Sequence, residues 1–377
     1  MNKFVVWGSK GYVNDYSPTE VINQHIWGQN MGNMLFYGSV YNTINDGENN
    51  IISDNVSIES INNSDYFLLP QANLFYKYFI NNIENHIERF KQITVPSVIV
   101  GIGYQSSVGG TSLSEEDPRL NEAVRRFGAE VLKHSASIGV RGRITKDYLM
   151  GLGFAESDVD IIGDPSIRFF GGKFNTELRE YKAFDPKFKI AVNYTPSRYN
   201  KKWGELINSI FDNYDNSFAI LQDTYEFHPL KWKYEGLLLP EVPASVKKAN
   251  IPVMSGSKIH KENRARFFTD PKSWFTSLAT FDFSIGTRIH GNIAAILSGT
   301  PAMTIAIDTR TLELAKYFKM PYIKLEDITA DTTVEQLYNQ AVREMPVFYS
   351  NYNNVLRDYE KFFKKNDIPV NNDFFKK

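Results

Sequence analysis

The stretch Ser284-Ile285-Gly286-Thr287-Arg288-Ile289-His290-Gly291-Asn292 holds the side chains best suited to chemistry. The apolar run Phe281–Ile285 reads as a strand leading into it, and Ile293–Leu297 reads as the core of a helix leading out. Arg288 and His290 therefore stand at the C-terminal end of a strand, with glycine on both flanks. A guanidinium is a planar fork that pairs bidentately with carboxylate or phosphate. An imidazole is the group best suited to move a proton near neutral pH. The N-terminus of the following helix adds backbone N–H groups for an anion. Together these suit acid–base work on a small anion. The same residues also fit a structural role, an Arg bridging to a carboxylate and a His capping a helix, and spacing alone leaves both open.

Other strand ends carry related groups. The strand Ala302–Ile307 ends in Asp308-Thr309-Arg310, which could face the same cleft. The strand Ala136–Val140 leads into Arg141-Gly142-Arg143, making Arg141 a candidate second anion clamp. Val159–Ile162 leads into Gly163-Asp164-Pro165, where Asp164 either forms a turn or offers a carboxylate. Gly28-Gln29-Asn30-Met31-Gly32-Asn33 is a glycine-bearing loop opening onto an apolar segment, with Asn33 a candidate contact. Gly101-Ile102-Gly103-Tyr104-Gln105 is a second such loop, and Gly103 could let a ligand approach or simply make a tight turn. Ser257–Phe267 holds Lys258, Lys261, Arg264, Arg266 and His260 against one Glu262. That run is either a solvated loop or a cover over an anionic donor or lipid-linked phosphate. Gly299-Thr300-Pro301 reads as a helix stop and strand start.

The elements that would position these groups alternate. Short β-branched runs at Phe4–Gly8, Tyr66–Leu69, Val98–Gly103, Ala136–Val140 and Val159–Ile162 look like buried parallel strands. Helical spacing fills Pro118–His134, and Thr145 could cap a helix through Met150. After an aperiodic break the pattern restarts with Ile190–Asn193, Tyr199–Phe211 and Phe218–Leu221. It continues with Ser273–Ala279, Leu312–Phe318, Val334–Arg343 and Val355–Lys364 as helices. Alternating β and α is the sign of doubly wound α/β folds, whose ligands sit outside the C-terminal ends of the strands. The expected organisation is a domain over 1–175, a second over 186–345, and a helical tail over 346–377 that returns to the first. The site then lies in the cleft between two facing sheets.

Composition narrows the classes. The 377 residues carry 42 Lys+Arg against 43 Asp+Glu, a net charge of −1 that gives no sign of nucleic-acid binding. There is no cysteine, which excludes thiol nucleophiles, disulfides and zinc–thiolate sites. The six His are scattered, so no metal site is expected. No Gly-x-Ser-x-Gly elbow, P-loop or His-Glu-x-x-His is present. Asparagine is abundant, 33 in all with 16 in the first hundred residues. An AT-rich genome explains that, and so would a carbohydrate-facing surface. The four apolar residues Phe4–Trp7 are too few for a signal-peptide core, and no run approaches 18 apolar residues. The expectation is a soluble cytoplasmic protein, free or peripheral at the inner face of the membrane.

These residues carry a family resemblance. Thr287-Arg288-Ile289-His290-Gly291 followed by Gly299-Thr300-Pro301 resembles the Arg-(Leu/Ile)-His-Gly and Gly-x-Pro elements of the polysaccharide pyruvyl transferase family. Phe268-Thr269-Asp270-Pro271 and Phe281-Asp282-Phe283 extend the match upstream. Ser137-Ile138-Gly139-Val140-Arg141 with Gly163-Asp164-Pro165 is similar to the family's Ser-x-Arg and Gly-Asp-Pro, in the same order. Asn30-Met31-Gly32-Asn33 resembles its N-terminal Asn-x-Gly-Asn element but lies further from the first strand than usual. The resemblance implies a GT-B-like fold of two Rossmann-like domains. It implies transfer of the enolpyruvyl unit of phosphoenolpyruvate to a sugar, free or lipid-linked, of a cell-surface polysaccharide or its precursor. Arg141, Arg288 and His290 would contact the donor, with no metal or organic cofactor. Beside this, His290 is expected as acid, base or phosphate ligand, and Asp164 as a base for the acceptor hydroxyl. Gly291, Asn33, Gly103, Asp308 and Arg310 complete the expected substrate contacts. The alternative is a nucleotide-sugar glycosyltransferase, though its paired-Glu donor motif is not found. A non-catalytic carbohydrate-binding protein is the third reading. The acceptor's identity would be set by the loops 40–65 and 223–262.

Overall fold

The computed structural model describes residues 1–8, 16–53, 55–106, 117–177, 179–195, 201–224 and 258–377. Among the described residues the chain forms a four-stranded and a six-stranded parallel sheet, with a two-stranded parallel pair beside the first. In the first, β1 (Lys3–Val6), β2 (Asn50–Ser53), β3 (Tyr66–Pro70) and β4 (Ser97–Val100) lie in the order β2-β1-β3-β4. A bridge between Ile102 and Val140 continues this sheet into the parallel pair β5 (Ile138–Val140) and β6 (Val159–Ile161). The second sheet contains β7 (Ile190–Asn193), β8 (Ser217–Leu221), β9 (Ala265–Phe267), β10 (Phe283–Gly286), β11 (Ala302–Ala306) and β12 (Tyr322–Lys324). Its order is β12-β11-β10-β7-β8-β9, all parallel. That is the doubly wound order, with the direction of winding reversing between β7 and β10. The expected α/β class, with doubly wound parallel sheets meeting at a cleft, is the one observed.

The inner strands explain why both sheets stay parallel. Every residue of β4, β7, β10 and β11 is buried, and helices cover both faces. Three strands escaped the sequence reading, β2, β9 and β12, and all are edge strands. Edge strands bury less and carry charge, here Arg266 and Lys324, so they lack the apolar run that betrays an inner strand. Two helix expectations also change. The helix Arg143–Gly151 starts from Gly142, so Thr145 lies within its first turn and does not cap it. The expected helix Tyr199–Phe211 is seen as Lys201–Asn213, residues 199 and 200 lying outside the described residues.

The segments read as two helices, Val334–Arg343 and Val355–Lys364, are one helix of 32 residues, Val334–Lys365, that runs through Pro346. The intervening Pro, Ser and Asn are poor helix formers, but Phe348, Tyr349 and Tyr352 between them are buried, and burial outweighs propensity. The N-terminal part packs Leu337 and Tyr338 into the core of the second sheet. The C-terminal part packs Tyr359, Phe362 and Phe363 against Phe4, Val6, Leu68, Val98 and Val100 of the first. Asn366 just beyond accepts from the Ala136 and Ser137 backbone N–H groups at 2.8 and 3.0 Å, tying the helix end beside β5.

Candidate active site

A cavity of about 440 Å³ opens where the C-terminal ends of the two sheets meet. The first half contributes Asn30, Asn33, Asn73, Tyr76, Gln105 and Arg141 to its wall; the second contributes Arg288, His290, Asp308 and Arg310. Arg288 follows β10 at the point where the second sheet reverses its winding, the place such folds leave a crevice. The two halves are stitched beside it. Met31 N–H donates to the Gln222 carbonyl at 2.8 Å, and Thr224 N–H donates to the Gln29 carbonyl at 2.9 Å.

Each arginine at the cavity is held by an aspartate. Arg141 Nη2 lies 2.6 Å from Asp164 Oδ2, and its Nε donates to the Gly101 carbonyl at 2.9 Å. Arg288 Nη2 donates to Asp223 Oδ2, and its Nε donates to the Tyr194 carbonyl at 3.3 Å. Arg310 Nη2 lies 2.7 Å from Asp308 Oδ2, while its buried Nε has no hydrogen-bond partner among the described residues. Asp164 and Asp223 stand behind the wall, so their arginines present the cationic end of each pair to the cavity. Pairing fixes three long side chains in place before any ligand arrives.

The Arg288 backbone is positioned by amides. Asn193 at the end of β7 accepts from the Arg288 N–H at 2.8 Å and donates to Asn292 Oδ1 at 2.8 Å. Asn292 in turn donates to the Gly286 carbonyl at 2.9 Å. Gly286 has no room for a side chain, since a Cβ there would fall 1.8 Å from the Asn193 carbonyl oxygen. The helix Ile289–Leu297 begins directly after Arg288, placing His290 in its first turn. The imidazole lies against Gly32, where a Cβ would come within 2.5 Å of Nδ1. Its Nε2 lies 3.4 Å from Asp164 Oδ2, an ion-pair distance without hydrogen-bond alignment.

Several expectations are corrected by this geometry. Asp164 is fully buried beneath the cavity and does not reach it, so it cannot take a proton from an acceptor hydroxyl. Burial alone would push its carboxyl up, but Arg141 and then His290 outweigh that and hold it well below the usual carboxylate range. It also accepts from the Ser166 N–H at 2.9 Å, as a turn former does, whereas the reading that puts its carboxylate in the cleft does not hold. Gly291 faces away from the cavity, packed against Asn193 and Gln222. Gly103 does not line it either, but a Cβ there would fall 2.8 Å from Arg141 Cδ. The basic run is not at the cavity. Lys258 faces Asp212, Arg264 is buried against Glu262 and the Tyr214 carbonyl, and Arg266 lies over Phe218. The loop 40–65 carries β2 and lines none of the cavity, and of 223–262 the residues 225–257 lie outside the described residues. Asp223 and Asn193 were missed; each sits at a strand end but in no recognisable motif.

Beneath the cavity a second carboxylate joins the halves. Glu313, on the helix Thr309–Phe318, accepts from Thr145 N–H at 2.9 Å and Thr145 Oγ1 at 2.7 Å. Burial pushes the Glu313 carboxyl up to about 7. The unfolded chain loses this proton near 4.5, so between the two values it binds fewer protons than the native state. Beside an opposite contribution from buried His86, Glu313 therefore gives stability a downward slope as pH rises from 4.5 through 7, by about 3 kcal/mol in all. Glu313→Gln, neutral throughout, is expected to flatten that slope. Urea unfolding at a series of pH values from 5 to 8 checks it, and parallel slopes for both proteins would refute it.

The model of the polysaccharide pyruvyl transferase family matches residues 40–309, well over half of the chain, spanning Arg141, Asp164, Arg288, His290 and Asp308. The chain belongs to that family. No curated protein matches it in sequence. Among solved structures, this pyruvyl transferase family member is similar to Anabaena HepE in complex with UDP and glucose, at 9% identity and TM-score 0.49 over 97% of this chain and 99% of that one. It is similar to the UDP-GlcNAc 2-epimerase of Neisseria meningitidis bound to UDP-GlcNAc, at 10% identity and TM-score 0.42 over 95% and 100%. A functionally uncharacterised Klebsiella pneumoniae protein matches at 12% identity and TM-score 0.43 over 84% and 88%. Among the described residues, no helix is long and apolar enough to cross a membrane, and no three His, Asp or Glu side chains gather as a metal site would require.

Proposed function

We propose that the chain transfers the enolpyruvyl unit of phosphoenolpyruvate to a sugar of a cell-surface polysaccharide or its precursor, forming a pyruvate ketal and releasing phosphate. The supporting observation is the convergence of Arg141, Arg288 and Arg310 with His290 on one cavity. Phosphoenolpyruvate carries a carboxylate and a phosphate on adjacent atoms of a small frame. Guanidinium forks from both halves suit two anionic groups, and a fixed cationic surface suits the charge that shifts between them.

The steps balance within these groups. A proton passes to C3 of the enol, leaving C2 electron-poor. One sugar hydroxyl attacks C2 and gives up its proton. A second hydroxyl then displaces phosphate at C2, and its proton leaves with the phosphate. His290 is the one imidazole on the cavity wall among the described residues and serves as acid to C3, then as base to the first hydroxyl. Asp164, behind it, is a positioning residue: it holds Arg141 and faces the imidazole without touching substrate.

Thermal unfolding with added ligands tests the donor. Phosphoenolpyruvate is expected to raise the unfolding temperature, by an amount equivalent to about 2.7 kcal/mol at a hundredfold excess over Kd. Stabilisation by UDP- or GDP-sugars and none by phosphoenolpyruvate would overturn the assignment in favour of glycosyl transfer.

A further inference from the structure

We propose that the segment following β3 is the acceptor subsite of this cavity, and that it takes a pyranose ring stacked by its C–H face on Tyr76 and bounded at its edge by the near-perpendicular ring of Tyr78. The proposal rests on the ketal-transfer reading above and adds to it where the sugar lies. The first sheet reverses its winding between β1 and β3, so a crevice is expected at the end of β3, which is where residues 71–79 stand.

Two chemistries share the cavity wall. Arginines and His290 stand among Tyr76, Phe79 and the amides of Asn30, Asn33, Asn73 and Gln105. Rings and amides do little for a small trianion. They suit a neutral ligand with an apolar face and a rim of hydroxyls, since aromatic faces cover C–H groups and amides both donate and accept.

The rings form a ladder that leaves the protein. Tyr76 sits edge-on to Phe79 at 5.7 Å and to Tyr78 at 5.1 Å. Tyr78 is 72% exposed, the most exposed large aromatic side chain among the described residues. Leaving such a ring in water forgoes the stabilisation that burial would bring, and the core does not need it. Tyr78 is not itself part of the cavity wall but adjoins Tyr76, which is. Asn30 and Asn33 are held in place on this rim: Asn30 Oδ1 accepts from Gly32 N–H at 2.9 Å, and Asn33 Nδ2 donates to the Trp27 carbonyl at 2.9 Å.

Saturation-transfer NMR with the methyl glycosides of glucose, galactose, mannose and N-acetylglucosamine tests the subsite, with phosphoenolpyruvate binding measured separately by calorimetry. At least one glycoside is expected to receive saturation, strongest on the C–H protons of one ring face. Tyr78→Ala and Tyr76→Ala should weaken that signal about fivefold or more, while Tyr78→Phe, which keeps the ring, should retain it. Tyr78 is exposed, so its alanine variant should fold as the parent does, and a thermal melt verifies this. No glycoside signal in the parent, or equal signals in parent and Tyr78→Ala, overturns the subsite. So does ring-dependent binding of UDP in place of the glycosides. Phosphoenolpyruvate binding in either of the first two cases leaves the donor assignment standing. Ring-dependent glycoside binding with no phosphoenolpyruvate binding supports the subsite and removes the donor instead.

Discussion

Arg288→Ala is expected to lower phosphate release from phosphoenolpyruvate and acceptor by about 10³-fold or more. The guanidinium sits at the sheet's reversal point and faces the cavity while Asp223 and the Tyr194 carbonyl hold it from behind. Alanine removes the charge and the fork together, and nothing else on that wall can reach the same place from β10. Arg288→Lys keeps a charge but not the planar pair of donors, so it should recover only part of the rate. Alanine should also cost stability, because the Arg288–Asp223 side chains are only 15% and 11% exposed and Asp223 loses this partner, so a thermal melt accompanies the assay. Phosphate release in Arg288→Ala equal to that of the parent would end the assignment of this wall to the donor.

Arg141→Ala should abolish activity and cost more stability than Arg288→Ala. Arg141 is 3% exposed and Asp164 fully buried, so alanine strands a carboxylate in the interior with only Ser166 and His290 near it. Breaking a buried pair from one side costs about 3–5 kcal/mol. Adding Asp164→Asn to Arg141→Ala removes the stranded charge and should return much of that loss, while phosphate release stays abolished. Urea unfolding of the two single variants and the double variant measures the coupling. A double variant whose loss is the sum of the single losses would show that the two groups do not hold one another. The difference from Arg288 is one of degree: each arginine neutralises a buried aspartate, but Asp164 is wholly buried while the Asp223 side chain keeps 11% exposure.

Much of this site was legible because its pieces are local in the chain. A strand, an arginine, a histidine and a helix start within nine residues at 284–292 specify where those side chains must sit, and Arg141 and Arg310 follow from the same rule at other strand ends. What stands behind each arginine was not legible. Asp223 meets Arg288 across 65 positions because β8 and β10 flank β7, a fact of strand order that no local pattern reports. Asp164 was legible as a charged residue at a strand end. That it points under the cavity instead of into it depends on where Arg141 lies, and so on the third dimension. Glu313 was missed for the same reason, since a glutamate inside an amphipathic helix ordinarily faces water. The edge strands β2, β9 and β12 were lost to short length and charge, and the single helix Val334–Lys365 to a middle stretch whose composition argues against it.

That helix has a consequence for how the polypeptide matures. The core beneath β1, β3 and β4 is closed by Tyr359, Phe362 and Phe363, about 260 positions beyond β4. A ribosome delivering the chain from its N-terminus exposes the first sheet's apolar underside long before the residues that cover it exist. The first half should therefore remain an incomplete, aggregation-prone body during translation and finish folding only after the second half has been made. Neither half should be portable as a module: exchanging one between relatives would separate a sheet from its own lid.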